Sequence, residues 1–229
     1  MTPYSLTEKN HGATENDNIS ESLVTVMDPS GVAAAAYHHM RANLFHKLAG
    51  TSSRVFLITS PGFGEGKSSV CANLGVVLAQ AGKNTLVLDC DLRRPTTHEI
   101  FGLRNTHGMV DVLLGERKLE EVCQQPFPTL DLKVLTVGPL PPNPAAVLGS
   151  QNLSKLLDDV RGQFDCVLVD SSPANVASDV TVLAAQADGV LLVLDAQSSR
   201  KADVWEAMRI LAAVGANIIG TVMNNAKRT

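Results

Sequence analysis

The sequence predicts one doubly wound α/β domain over residues 31–229, a mainly parallel sheet with helices on both faces. Three observations predict it: five short runs that are apolar at every position, amphipathic segments between them, and a glycine-rich turn directly after the first run. Strands that are apolar throughout need cover on both faces, and the crossover helices of a parallel sheet supply that cover.

The elements follow in order. Residues 1–30 are mostly polar, with one short run, LVTVM, and are expected to be a flexible arm with no core of its own. Tyr37, Met40, Leu44 and Leu48 are spaced by three, four and four, which lines one face of a helix. Val55 to Ile58 reads as the first strand, and a helix is expected from about 67 to 80. Leu86 to Leu88 is the second strand, and Pro139 to Pro144 is a stiff loop. Leu153, Leu156, Leu157 and Val160 mark a helix face, Val167 to Val169 a strand, and Val190 to Leu194 another. Val204, Met208 and Leu211 mark the last helix, with Trp205 expected to pack, and Ile218 and Ile219 the last strand.

Composition narrows the function. The chain has 229 residues, 45% of them hydrophobic and 18% charged, which excludes disordered, collagenous and coiled-coil classes. A net charge of −4, with no dense basic block, counts against nucleic acid as a partner. No apolar run reaches the roughly 18 residues that span a bilayer, and the polar start has no signal-peptide core, so a cytoplasmic location is expected. Cys71, Cys90, Cys123 and Cys166 form no CxxC pair and read as reduced, mostly buried thiols.

Three segments carry chemistry. The first is the turn Ser60-Pro61-Gly62-Phe63-Gly64-Glu65-Gly66-Lys67-Ser68-Ser69. Glycines let successive backbone N–H groups converge on phosphates, Lys67 can reach the outer phosphates, and the Ser68 hydroxyl can sit on Mg²⁺. The helix that follows aims its positive end at the same charge. This is the pattern of a P-loop NTPase, with Pro61 where a glycine is usual. Residues 62–69, namely Gly62, Phe63, Gly64, Glu65, Gly66, Lys67, Ser68 and Ser69, are the expected nucleotide contacts. A dinucleotide fingerprint fits less well, because the glycines are spaced GxGxG.

The second segment is Asp89-Cys90-Asp91-Leu92-Arg93 at the end of the second strand. Two carboxylates two residues apart leave a strand end on the same side, where they can hold metal-bound water or take a proton from an attacking hydroxyl. Cys90 between them should have a raised thiol pKa. The third is Asp170, which closes an apolar strand where a Mg²⁺-binding carboxylate is expected.

Together these segments resemble the bacterial tyrosine kinases, a branch of the MinD/ParA-type P-loop ATPases, from about Leu23 to Asn225. Asp89-x-Asp91-x-Arg93 resembles that family's extra Walker A′ motif. Val222-Met223-Asn224 resembles the segment whose Asn contacts the nucleotide base. The resemblance implies ATP and Mg²⁺ as cofactors, with Lys67, Asp89, Asp91 and Asp170 catalytic and Ser68, Asp89 and Asp170 around the metal. Arg93 and Asn224 join the nucleotide contacts on the same ground. It further implies protein tyrosine substrates, control of capsular or exopolysaccharide polymerisation and export, and a membrane-embedded co-polymerase or activator. That partner would hold the chain peripheral to the inner membrane, with a homo-oligomer as a further expectation.

Departures sharpen the reading. The partition and division relatives carry a second lysine early in the P-loop, and Gly62 occupies that position here, which favours the kinase branch. The family's Glu-x-x-Arg-x-x-Arg assembly pattern falls on Ala35, His38 and Arg41. Tyr4 and Tyr37 are the only tyrosines, and neither lies in a terminal cluster. The alternative is a non-kinase ATPase switch that controls partner binding by ATP hydrolysis.

Overall fold

A computed structural model describes residues 19–47 and 54–226. Its strands are β1 (Arg54–Thr59), β2 (Thr85–Asp89), β3 (Leu132–Leu135), β4 (Cys166–Asp170), β5 (Gly189–Asp195) and β6 (Ile218–Asn224). They form a single sheet in the order β3-β2-β4-β1-β5-β6, with every neighbouring pair parallel. The helices are α1 (Val24–Met27), α2 (Val32–Lys47), α3 (Lys67–Gln80), α4 (Thr97–Phe101), α5 (Met109–Leu114), α6 (Leu119–Val122), α7 (Pro144–Leu148), α8 (Gln151–Gln163), α9 (Asp179–Gln186) and α10 (Lys201–Ala213). No helix among the described residues is long and apolar enough to cross a membrane.

The continuous apolar runs have a simple cause. Successive strand residues point to opposite faces, so Val55 and Leu57 enter the core under α5, α8, α9 and α10, while Phe56 and Ile58 enter the core under α3. Both faces are dry, so both sets must be apolar. Helix α3 is buried over most of its length, and a Cβ at Gly75 would meet Val87 Cγ2 at 2.6 Å. Glycine is therefore what lets this helix lie close against the sheet.

The five expected strands are present, and β3 is the addition. It is a four-residue edge strand in which Lys133 is exposed between buried Leu132 and Val134. An edge strand this short leaves no long apolar run to read. Trp205, expected to pack, is 62% exposed, because α10 turns Ala207 and Leu211 inward instead.

The expected arm at residues 1–30 is corrected over its second part. Residues 19–26 are docked: Leu23 and Thr25 are buried, Ile19 and Val26 pack on the α3 core, and the Thr25 N–H and hydroxyl both donate to Asn73 Oδ1 at 2.9 Å. Asn73 Nδ2 in turn donates to the Ser22 and Ser69 carbonyls, each at 2.8 Å. A buried amide on α3 needs these partners, and the segment 22–25 supplies most of them. Residues 1–18, with Tyr4, lie outside the described residues, as does Leu48. Tyr37 and Met40 are half-buried and Leu44 is buried against the α3 core, as the helical spacing predicts. Burial pushes the Tyr37 phenol up to about 12. Leu23→Ala is expected to cost about 2–5 kcal/mol, the range for emptying a buried leucine site. A urea titration in which this variant unfolds at the wild-type midpoint would show that the segment carries no stability.

Candidate nucleotide and phosphoryl-transfer site

The strand order brings the three chemical segments together. Because β4 lies between β2 and β1, Asp170 is registered against Ile58 on one side and Asp89 on the other. The segments that leave the carboxyl ends of these strands therefore share one crevice, the usual ligand position in an open α/β sheet.

The loop after β1 takes its shape from glycine. Gly64 and Gly66 have φ of 78° and 90°, left-handed values that other residues adopt at a cost. Pro61 is tolerated because the left-handed positions fall elsewhere. Gly66 caps α3, and a Cβ there would lie 2.1 Å from Asn224 Nδ2. The same Nδ2 donates to the Glu65 carbonyl at 3.2 Å, so Asn224 braces the loop from the end of β6. The Gly62 N–H is already used, donating to Glu65 Oε2 at 2.9 Å. Phe63 is exposed at the loop tip, with the Arg94 guanidinium 4.4 Å from its ring centroid.

Lys67 is nearly buried, and its Nζ lies 3.8 Å from Asp91 Oδ2. The other oxygen of Asp91 accepts from the Arg93 and Arg94 N–H groups, each at 3.1 Å, and from Ser172 Oγ at 2.8 Å. Asp89 is held by the Asp91 N–H at 3.0 Å and the Thr97 N–H at 3.3 Å. Thr97 Oγ1 also donates to Asp170 Oδ2 at 3.5 Å, so one threonine spans both carboxylates. Burial, then repulsion from Asp170, pushes Asp89 well above the usual carboxylate range. Burial pushes Asp170 up to about 6, with Lys67 and the Ser68 hydroxyl opposing the rise. Burial and the nearby carboxylates raise the Cys90 thiol, as expected from its position.

The donor set fits a hard divalent cation. Asp170 Oδ1 is buried without a hydrogen-bond partner, and the Ser68 hydroxyl is close enough to influence the same carboxylate. No cluster of three His, Cys, Asp or Glu among the described residues is placed to hold a metal alone. Mg²⁺ suits such a site, since it keeps waters and is bound through one or two carboxylates plus substrate phosphates.

Arg93 Nη2 lies 3.8 Å from Asp179 Oδ2 at the start of α9. Arg41 donates to the Val77 carbonyl at 3.3 Å, on the back of α3. Sequence reasoning overlooked Thr97, Ser172 and Ser199. Ser172 lies two residues beyond Asp170 and could have been suspected from that, whereas Thr97 and Ser199 have no local signal.

Three comparisons bear on this geometry. The ParA family model, described as an NUBPL iron-transfer P-loop NTPase, matches residues 51–228. The tyrosine-protein kinase YwqD of Bacillus subtilis (strain 168) is 35% identical over 219 residues, covering 96% of this chain and 90% of that one. Among solved structures, the kinase domain of the Escherichia coli tyrosine kinase ETK superposes with a TM-score of 0.83 at 29% identity, covering 90% of this chain and 82% of that one. The septum site-determining protein MinD of Pyrococcus horikoshii OT3, solved with Mg-ADP, reaches 0.65 at 25% identity over 77% of this chain and 72% of its own. The kinase structure is matched more fully than the division protein.

Proposed function

We infer the activity from membership: the chain belongs to the bacterial tyrosine kinases built on the ParA-type P-loop fold. It is accordingly a nucleotide-binding kinase, and we propose that it transfers the γ-phosphoryl group of ATP to protein tyrosines with Mg²⁺. The observation that carries this is the Lys67–Asp91 pair at 3.8 Å, with Asp89 and Asp170 beside it on the adjoining strand ends. A site for water attack alone has no evident need of so many buried carboxylates.

In this reading the glycine loop and the start of α3 bind the phosphates through backbone N–H groups, and Lys67 lies against the outer ones. Ser68 and Asp170 hold the metal, with Asp89 as the carboxylate behind it. Mg²⁺, when bound, supplies positive charge for the transferred group and its leaving oxygen. Asp91, fixed by three donors on one oxygen, turns the other toward Lys67, and that oxygen takes the acceptor phenol once Lys67 engages the phosphates. As the bond from γ-phosphorus to the β–γ bridging oxygen breaks, the phenol oxygen takes the phosphoryl group. Its proton passes to a carboxylate, and ADP leaves. The membrane-embedded activator, the inner-membrane location, the homo-oligomer and the control of polysaccharide assembly are proposals that rest on the family alone.

Asp170 gives the test of the metal assignment. Its folded pKa of about 6 stands above the ordinary 3.8, so the folded chain holds that proton more tightly. Stability is then fully present below about pH 4 and is lost as pH rises through 6. At pH 8 the ligand-free protein carries an ionised, buried carboxylate at a cost on the order of 2–3 kcal/mol. Asp170→Asn should therefore melt several degrees above wild type at pH 8, and the gain should shrink at pH 5. Mg²⁺ with ATP should stabilise wild type yet do little for the variant. Equal Mg²⁺ dependence in the two proteins would remove Asp170 from the metal site.

A further inference from the structure

Glu65 is 4% exposed, inside the loop that this reading assigns to phosphate. A carboxylate there opposes the charge of the ligand, so its presence calls for a compensating role. Each of its oxygens has a partner. Oε2 accepts the Gly62 N–H at 2.9 Å, closing the loop on itself across three residues. Oε1 accepts the Ser199 hydroxyl, which belongs to the loop between β5 and α10. The backbone carbonyl of Glu65 accepts Asn224 Nδ2 from the end of β6. No cation among the described residues pairs with the carboxylate.

Ser199 is itself anchored. Its Oγ accepts the Asp195 N–H at 2.8 Å, and Asp195 Oδ1 accepts the Gln197 and Ser198 N–H groups at 2.8 and 2.9 Å. Asp195 Oδ2 accepts Asn225 Nδ2 at 2.5 Å. Asn225 has a left-handed φ of 52°, so the turn after β6 is held in one particular form by that contact. A continuous path of hydrogen bonds thus joins the ends of β5 and β6 to the phosphate loop.

We propose that Glu65 is a positioning residue that, with Ser199, clamps the phosphate loop into its binding shape and so sets the affinity for ATP. A loop rich in glycine loses more backbone freedom on ordering than other chains do. The clamp meets that loss before the nucleotide arrives, so less of the binding free energy goes to ordering the loop. The proposal rests on the P-loop being the nucleotide site and not on the identity of the acceptor.

The test uses Glu65→Ala, Glu65→Gln and Ser199→Ala in the full chain. Glu65→Ala removes acceptors for two donors, and KM and Kd for ATP should rise about tenfold or more, with a smaller effect on kcat. Glu65→Gln keeps an acceptor for Gly62 and an amide that can donate to Ser199 Oγ, so it should restore affinity to within about threefold of wild type. Ser199→Ala should fall between them, and combined with Glu65→Ala it should add little further loss. Amide hydrogen exchange of the ligand-free protein gives a readout independent of turnover. The Gly62 amide should be protected in wild type and Glu65→Gln and should exchange faster in Glu65→Ala. A folded Glu65→Ala that binds ATP as tightly as wild type overturns the clamp, as does a Gly62 amide that exchanges equally in all three proteins. Neither readout needs an acceptor, so failure to form phosphotyrosine would bear on the kinase reading alone.

Discussion

Lys67→Met is expected to lower ATP turnover by about 10²–10³-fold while the chain stays folded, the loss typical of removing one preorganised donor to transition-state charge. The size follows from position. Lys67 is the first residue of α3, is 6% exposed, and faces the carboxylates rather than an apolar core. Methionine keeps the length of the stem and removes only the cation. One side effect is expected from the same geometry. Lys67 helps hold Asp170 ionised, so without it the carboxyl should titrate higher still, and the variant's Mg²⁺ requirement should increase. The measurement is phosphate release at saturating ATP, with a thermal melt to show that the protein is folded. Wild-type turnover in a folded Lys67→Met protein would place the phosphate site elsewhere.

Asp91→Asn should separate phosphoryl transfer from hydrolysis. The amide oxygen can keep the donors from Arg93, Arg94 and Ser172, so the loop after β2 should hold its form. What is lost is the carboxylate oxygen that faces Lys67, replaced by an N–H₂ group that cannot accept a proton. A phenol has a reference pKa near 10, and positioned general bases contribute about 10²–10⁴-fold. Phosphotyrosine formation on a synthetic tyrosine-rich peptide should fall by a factor in that range, with ATP hydrolysis less affected. Asp89→Asn should depress both reactions together, because Asp89 lies beside Asp170 on the adjoining strand rather than against Lys67. A wild-type protein that hydrolyses ATP yet labels neither the peptide nor a verified membrane partner would restore the switch reading. Both readouts, released phosphate and phosphotyrosine, are needed on each protein.

The parts of the site legible beforehand were those with chemistry close together in the chain. The segments at residues 60–69, 89–93 and 170 each combine a strand end with residues that have few other uses at that spacing. The parts that escaped reading are polar residues whose partners lie far away. Thr97, which also holds Asp89, reaches Asp170 across 73 residues, and Ser199 reaches Glu65 across 134. Arg93 pairs with Asp179, a contact that only the packing of α9 creates. The docking of residues 22–25 on Asn73 is of the same kind.

By itself the sequence determined the doubly wound fold and marked a glycine loop and three carboxylates as its candidate site. Burial on both faces leaves a periodic apolar record, and glycine, lysine and aspartate at strand ends carry their chemistry in the residue type. Only the tertiary structure set the three carboxylates apart from one another. Asp89, Asp91 and Asp170 are the same residue in the chain. They differ in what surrounds them: Asp91 beside a cation, Asp89 pushed up by burial and its neighbour, Asp170 with one oxygen left unpartnered. Those differences are set by strand order and register, because the field at a buried carboxylate depends on groups brought within a few ångströms by folding, not on its neighbours along the chain.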